Sequence, residues 1–468
     1  MSKSKSDQES KSEPVKKSSK SRRELTWYED PNLRNLYVKS ASNAMKGYHL
    51  PITTPKTVFT GTNSLTDFTI HLGAFLDEDE KRVLIIVDKD LRKFGEQVAA
   101  FLKEKRDIES RIFDEVLPEV PKTKINKAID ICKEFDPKVF IAIGGGSAID
   151  MSKLILLYYE KPEINVNQMM PPSYLGLRKK VYILAAIPTT SGTGAEGSFN
   201  AMIYDDTRKP PVKVAVALYE FCPDFVVLHP DFVKTMPTWL TMGTGMDALA
   251  HATGAYVLIG SSPFTDAMNI AGIELILKYL PRAVKRGNDM EAREKMQLAA
   301  YLAGIGFINT SAAGIEHALG HSFGATYHVH HGITVGIFLA PSVAYQAKVT
   351  DRFIKLAEIY AIVLSDKPRY EVINEIAHMS REDVLRNFLS NLKKFMDMVG
   401  APKSVSELKT PKIDKAEYEK KLGTLSHQAW SDTCALYSSR PFTLENIRRV
   451  YEIAWDNDIE DLIKLSKM

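Results

Sequence analysis

Apolar residues follow two different rhythms along this chain. From about residue 55 to 235, short β-branched runs alternate with helical patterns. "RVLIIVD" (82–88), "KVFIAIGGG" (138–146) and "KKVYILAAIPTT" (179–190) are continuously apolar, as parallel strands covered on both faces are. Between the first two lies "INKAIDICKEF" (125–135), whose apolar positions recur at helical spacing. Strand, helix, strand in this order predicts an α/β layer with its ligand crevice at the carboxyl ends of the strands. After "PDFVKTMP" (230–237) Ala, Leu, Met and paired charges dominate and the strand pattern stops. This predicts an α/β domain over 46–235, an all-helical domain over 236–468 and a cleft between them, preceded by a tail and lead-in over 1–45. "SDKPRYEVINEIAHMSREDVLRNF" (365–388) reads as an added helical elaboration near the cleft.

Composition narrows the class. The chain is 44% apolar and 25% charged, as soluble globular proteins are. No apolar run approaches the roughly 18 to 20 residues that span a bilayer, so a membrane partner is not expected. The net charge is +3, and the excess sits in "MSKSKSDQESKSEPVKKSSKSRR". That Lys/Ser tail buries nothing that would offset the entropy of ordering, so it is expected to be disordered and solvating, not a nucleic-acid arm. It lacks the apolar stretch of a signal peptide, and Asp7, Glu9 and Glu13 argue against a transit peptide. Cys132, Cys222 and Cys434 have no metal or redox spacing, which implies a reduced, cytoplasmic protein without disulfides.

Two glycine-rich turns follow predicted strands. In "IAIGGGSAIDMSK" (141–153), Gly144, Gly145 and Gly146 allow a sharp turn and close backbone approach, and Ser147 stands at a helix N-terminus suited to an anion such as a pyrophosphate. The pattern is neither GxGxxG nor a P-loop. "IPTTSGTGAEGS" (187–198) offers hydroxyls from Thr189, Thr190, Ser191 and Thr193 beside Gly192 and Gly194. One such loop is often a mere turn; two in one layer fit a nucleotide spread across the strand ends. Asp88 closes "RVLIIVD", where an acidic residue accepts hydrogen bonds from an adenosine ribose and repels a 2′-phosphate, favouring NAD over NADP. It could equally cap the next helix.

Five of the chain's 11 histidines fall within residues 314–332, "GIEHALGHSFGATYHVHHG". His317 and His321 are four apart, as are Asp247 and His251 in "GTGMDALAHATGAY", so each pair shares a helix face. A carboxylate and several neutral imidazoles suit a divalent first-row metal. A zincin is not supported, because Glu316 precedes its histidine.

In this order GGGSxxDxxK (144–153), PTTxGTGxE (188–196), GMDALxHA (245–252) and HALxH followed by HHG (317–332) resemble the iron-containing (group III) alcohol dehydrogenases, over about residues 50 to 460. The resemblance implies a dehydroquinate synthase-like architecture with an α/β dinucleotide-binding domain. It implies Asp247, His251, His317 and His331 as ligands of ferrous iron, sometimes zinc, and His321 as the catalytic proton carrier on the substrate side. Gly144, Gly145, Gly146, Ser147, Asp150, Thr189, Thr190 and Thr193 would hold NAD(P), with Asp88 influencing cofactor choice. The implied reaction is hydride transfer between a small-molecule alcohol and a carbonyl, in at least a homodimer.

The sequence also departs from the family pattern. Val120, in "LPEVPKT" (117–123), replaces a polar cofactor neighbour; Ser322 follows His321 where proline is common; Gly254 replaces an acidic residue; Glu316 adds a carboxylate beside a presumed ligand. His328 and His330 read as surface or pocket-edge residues. Competing readings on the same fold are a zinc polyol dehydrogenase, a hydroxyacid–oxoacid transhydrogenase or a cyclase; from another class, a non-catalytic metal- and nucleotide-binding interaction protein.

Overall fold

The computed structural model describes residues 51–169, 172–209, 212–310 and 313–468. The basic tail expected over 1–45 lies outside the described residues. The predicted runs become strands β2 (Arg82–Asp88), β4 (Val139–Gly144) and β5 (Ile183–Pro188), joined by β1 (Thr57–Thr60), β3 (Glu109–Val116) and β8 (Phe225–Leu228) in one parallel sheet. In the order β1-β8-β5-β4-β2-β3, Ile85 is level with Ile141 and Ile141 with Ala185. A separate hairpin pairs β6 (Asn200–Asp205) with β7 (Val212–Ala217) antiparallel.

The apolar runs are continuous because both faces of the sheet are buried. Val83, Ile85, Val87, Val139, Ile141 and Ile143 pack on one side with α2 (Arg92–Arg106), after α1 (Ser64–Phe75). Leu84, Ile86 and Phe140 face the other side, against α3 (Lys122–Phe135) and α4 (Gly146–Glu160). From β2 the chain crosses one face to β3, then returns over the other to β4 on the opposite flank of β2. That reversal leaves a crevice between the carboxyl ends of β2 and β4, where Asp88 and the 144–146 turn stand.

Among the described residues every element after β8 is helical, starting with α5 (Thr238–Val257), α6 (Pro263–Lys285), α7 (Met290–Ile308), α8 (Ile315–Tyr327) and α9 (His331–Gln346). Next come α10 (Phe353–Leu364), α11 (Arg369–Ala377), α12 (Arg381–Val399), α13 (Lys415–Ser431), α14 (Leu444–Ala454) and α15 (Ile459–Lys467), around one large apolar core. The 365–388 segment packs on α10 through α11 and α12 and adds no side chain to the cavity lining. No described helix is long and apolar enough to cross a membrane.

Buried polar anchors tie the helices to the strand ends. Arg293 on α7 donates to Thr241 Oγ1 (2.7 Å) and the Met236 carbonyl (2.9 Å), and Gln297 donates to the Pro188 carbonyl (3.2 Å). Lys153 on α4, fully buried, donates to the carbonyls of Ala195, Ser198 and Asn200, each at 2.8 Å. Three charge-assisted bonds offset the desolvation of that ammonium and pin the 188–200 loop beside the first glycine turn.

Candidate active site

Asp247 and His251 project from one face of α5, one turn apart. His317 comes from the first turn of α8 and His331 is the first residue of α9. Helix α9 reaches α5 because Gly332 lies against Gly243: a Cβ there would stand 1.9 Å from the Gly243 carbonyl oxygen. From Asp247 Oδ1 the distances are 3.2 Å to His331 Nε2, 3.6 Å to His317 Nε2 and 3.9 Å to His251 Nδ1. Donors held ~2.1 Å from a shared tetrahedral ion stand roughly 3.4 Å apart. Asp247 Oδ1, His251 Nδ1 and His317 Nε2 are buried and have no hydrogen-bond partner. These three buried, unpartnered atoms of ligating type, both nitrogens within 3.9 Å of the carboxylate oxygen, fit a cation held between them. Asp247, His317 and His331 form one close cluster; His251 stands slightly outside it, its ring stacked on Phe307 at 4.3 Å between centroids.

Burial disfavours charge on the imidazoles, so the pKa falls to about 3 at His251 and about 4 at His331. At His317 burial is outweighed by Asp247 and Glu316, which raise the pKa to about 9. Burial also opposes the Asp247 carboxylate, yet the surrounding imidazoles hold its pKa well below the usual range. A permanently ionised carboxylate among mostly neutral imidazoles is the protonation state a divalent metal requires.

A cavity of about 740 Å³ opens from this cluster towards the sheet and includes Gly146, Ser147, Asp150 and Thr193 in its wall. Gly144, Gly145, Thr189 and Thr190 form the rim behind: the Thr189 amide donates to the Gly144 carbonyl at 3.0 Å, and a Cβ at Gly145 would touch Thr190 at 3.3 Å. Ser147 occupies the first turn of α4 and Asp150 accepts a hydrogen bond from the Met202 amide at 3.0 Å. The two glycine-rich loops are therefore adjacent. Asp88 lies beyond the cavity wall at the end of β2, and its carboxylate accepts from the Asp90 amide at 2.8 Å, so the capping role is present in the structure. Val120 lines the cavity in a left-handed conformation with φ 52°.

His321 faces the cavity one turn beyond His317, its ring stacked on His331 at 5.1 Å. Its Nδ1 lies 2.8 Å from Asp432 Oδ2. Asp432 resists ionisation through burial, but His321 and the Cys434 amide draw its pKa down to about 2. His321, Asp432 and Cys434 form a second tight group on the cavity wall. The sequence reading missed Asp432 and Cys434. His330 is a pocket-edge residue against Trp239, and His328 is an exposed residue ending α8.

Orphaned donors grouped at the mouth of a paired glycine-rich crevice define a class, cation-dependent enzymes that work on a bound nucleotide. Residues 55–230 match the iron-containing alcohol dehydrogenases and residues 241–455 match the C-terminal region of the same family, so the chain belongs to the iron-containing alcohol dehydrogenase family. It is 31% identical over 407 residues to an NADPH-dependent butanol dehydrogenase of Clostridium saccharobutylicum, covering 86% of this chain and 97% of the relative. It is also 31% identical over 381 residues to an NAD-dependent methanol dehydrogenase of Bacillus methanolicus, covering 80% and 92%. The solved alcohol dehydrogenase from Oenococcus oeni superimposes with a TM-score of 0.75 at 25% identity, over 86% of this chain and all of that one. The fold is the dehydroquinate synthase-like one that these structures share.

Proposed function

We propose that this chain interconverts an alcohol and an aldehyde or ketone by NAD(P)-linked hydride transfer, with Asp247, His251, His317 and His331 holding the divalent cation, ferrous iron or zinc. The observation that carries the assignment is that the buried, unpartnered His317 Nε2 and His251 Nδ1 lie 3.6 and 3.9 Å from the likewise unpartnered Asp247 Oδ1, with His331 Nε2 at 3.2 Å from the same oxygen. When bound, the cation supplies Lewis-acid activation of the alcohol oxygen and the nicotinamide accepts the hydride.

The remaining work falls to this chain's side chains. The 144–147 turn and the Thr189–Thr193 loop bind and orient the pyrophosphate through bare backbone and hydroxyls. Asp88 favours NAD, since its charge would meet a 2′-phosphate. Phe307 and the apolar cavity wall exclude water from the transfer path. His321 moves the alcohol proton at Nε2, because Nδ1 is engaged by Asp432, which fixes the ring. Relatives named for methanol and butanol support a small alcohol as substrate. A reducing cytoplasmic setting is supported by three unpaired cysteines. A homodimer or higher oligomer is expected, to be checked by light scattering.

His331→Ala tests the assignment. Wild-type protein should carry one divalent metal per chain and generate NAD(P)H absorbance with a panel of primary alcohols. The variant should lose both while binding NAD(P)H as before. Full turnover by metal-free variant would overturn the proposal.

A further inference from the structure

Glu316 is left unexplained by that reading. It is fully buried, and its one ion-pair partner among the described residues is His317. Oε1 lies 3.0 Å from His317 Nδ1, while Oε2 has no hydrogen-bond partner. Space has been cleared for this carboxylate on two sides. A Cβ on Gly254 of α5 would stand 2.2 Å from Oε1, and a Cβ on Gly314, just before α8, would stand 2.2 Å from Oε2. Any larger residue at either position would evict the group.

A buried carboxylate with one oxygen unsatisfied is a standing cost to the fold, and an apolar side chain of similar volume would avoid it. What it does instead follows from the ring it touches. In the neutral ring that a metal would bind, Oε1 accepts the Nδ1–H of His317, which leaves the lone pair on Nε2. That Nε2 is the buried, unpartnered atom 3.6 Å from Asp247 Oδ1. The hydrogen bond therefore selects both the tautomer and the ring orientation that a metal ligand needs. Asp247 and Glu316 together also bring two negative charges to bear on the centre, matching a dication.

We infer that Glu316 is a positioning residue: seated between Gly254 and Gly314, it fixes His317 as a donor and sets how tightly the site retains its divalent cation. This rests on the proposed metal assignment. The carboxylate carries its own cost in the cation-free protein and returns it on loading.

The test compares wild type, Glu316→Gln and Glu316→Ala as apo proteins, titrated with zinc against a chromogenic chelator, beside His331→Ala. Gln keeps the acceptor and loses the charge, so its zinc Kd should rise about 10-fold; Ala loses both and should rise about 100-fold, the range over which partners of metal-bound histidines act. NAD(P)H affinity should not move. Thermal midpoints of the apo variants should fall modestly, because Ala leaves the His317 Nδ1–H unpaired and Gln puts an unpaired NH2 where Oε2 stood, so it is the zinc Kd that separates positioning from packing. Zinc affinity within about twofold of wild type in both variants would overturn the inference, as would lower apo midpoints with unchanged zinc affinity, which mark a purely structural glutamate. If wild type and His331→Ala bind zinc equally, the metal assignment itself fails; if only the Glu316 variants match wild type, the inference alone does.

Discussion

Gly304→Ala sets two known effects against each other. In the interior of a helix such as α7, alanine is favoured over glycine by about 1 kcal/mol. At this position, however, the new methyl would lie 2.6 Å from the Gly194 carbonyl oxygen and 2.7 Å from its Cα. Ordinary contact begins near ~3.5 Å, so one backbone must retreat by roughly 0.8 Å. Gly194 cannot yield cheaply: it holds φ +60°, and the next carbonyl, Ala195, is gripped by buried Lys153 at 2.8 Å. Overpacking of this kind costs about 1–3 kcal/mol, and with backbone on both sides the upper half of that range applies. The net expectation is a loss of ~1–2 kcal/mol.

Gly423→Ala is the matched control, an exposed position inside α13 with nothing within 4 Å of the added methyl. It should gain about 1 kcal/mol, so the two variants should differ by ~2–3 kcal/mol in urea unfolding. The loop that Gly304→Ala displaces carries Thr189, Thr190 and Thr193, so KM for the nicotinamide cofactor should rise in that variant and stay fixed in the control. Gly304→Ala at or above wild-type stability, with unchanged cofactor KM, would refute the reasoning.

Two further outcomes follow from other residues. Glu196 is buried, and desolvation raises its pKa to about 7 from 4.5; a carboxyl easier to protonate folded than unfolded adds no penalty below pH 4.5, a growing one up to about 7 and a constant one above. Glu196→Gln should therefore gain on wild type as pH rises from 4.5 to about 7, by up to ~3 kcal/mol, and a pH-independent difference in urea midpoints would refute this. Asp88→Gly should raise the NADP/NAD ratio of kcat/KM by about tenfold through lost 2′-phosphate repulsion; an unchanged ratio with a small stability loss would leave Asp88 as a cap alone.

Sequence legibility followed burial and rarity. Strands β2, β4 and β5 were readable because both faces are covered, so nothing polar interrupts the run. Strand β3 escaped notice because it lies at the sheet edge and most of its positions are only partly buried. β1 and β8 have four residues each and pair across about 170 positions of chain, Thr57 with Phe225, and no local pattern announces such a partner. The histidines were legible because imidazole is scarce and repeats at helical spacing. Asp432 was not: it stands 111 positions from His321, and only the packing of α13 against α8 brings them together. Glu316 was visible as a neighbour of His317, but its purpose depends on voids at Gly254 and Gly314 that no spacing encodes.

The two pairs spaced four apart make the same point about function. Asp247 and His251 both turn toward the centre, with Oδ1 and Nδ1 3.9 Å apart. His317 and His321 have the same spacing, yet their rings stand 5.8 Å apart, edge to face, because each is claimed by a different carboxylate. Glu316 holds Nδ1 of His317 from behind, directing Nε2 to the centre, while Asp432 draws Nδ1 of His321 toward the cavity wall. On the proposed reading, one helix face presents a donor to the cation and a proton carrier to the substrate. Helical geometry supplies the spacing; two carboxylates, each holding the Nδ1 of a different ring, set the two histidines apart.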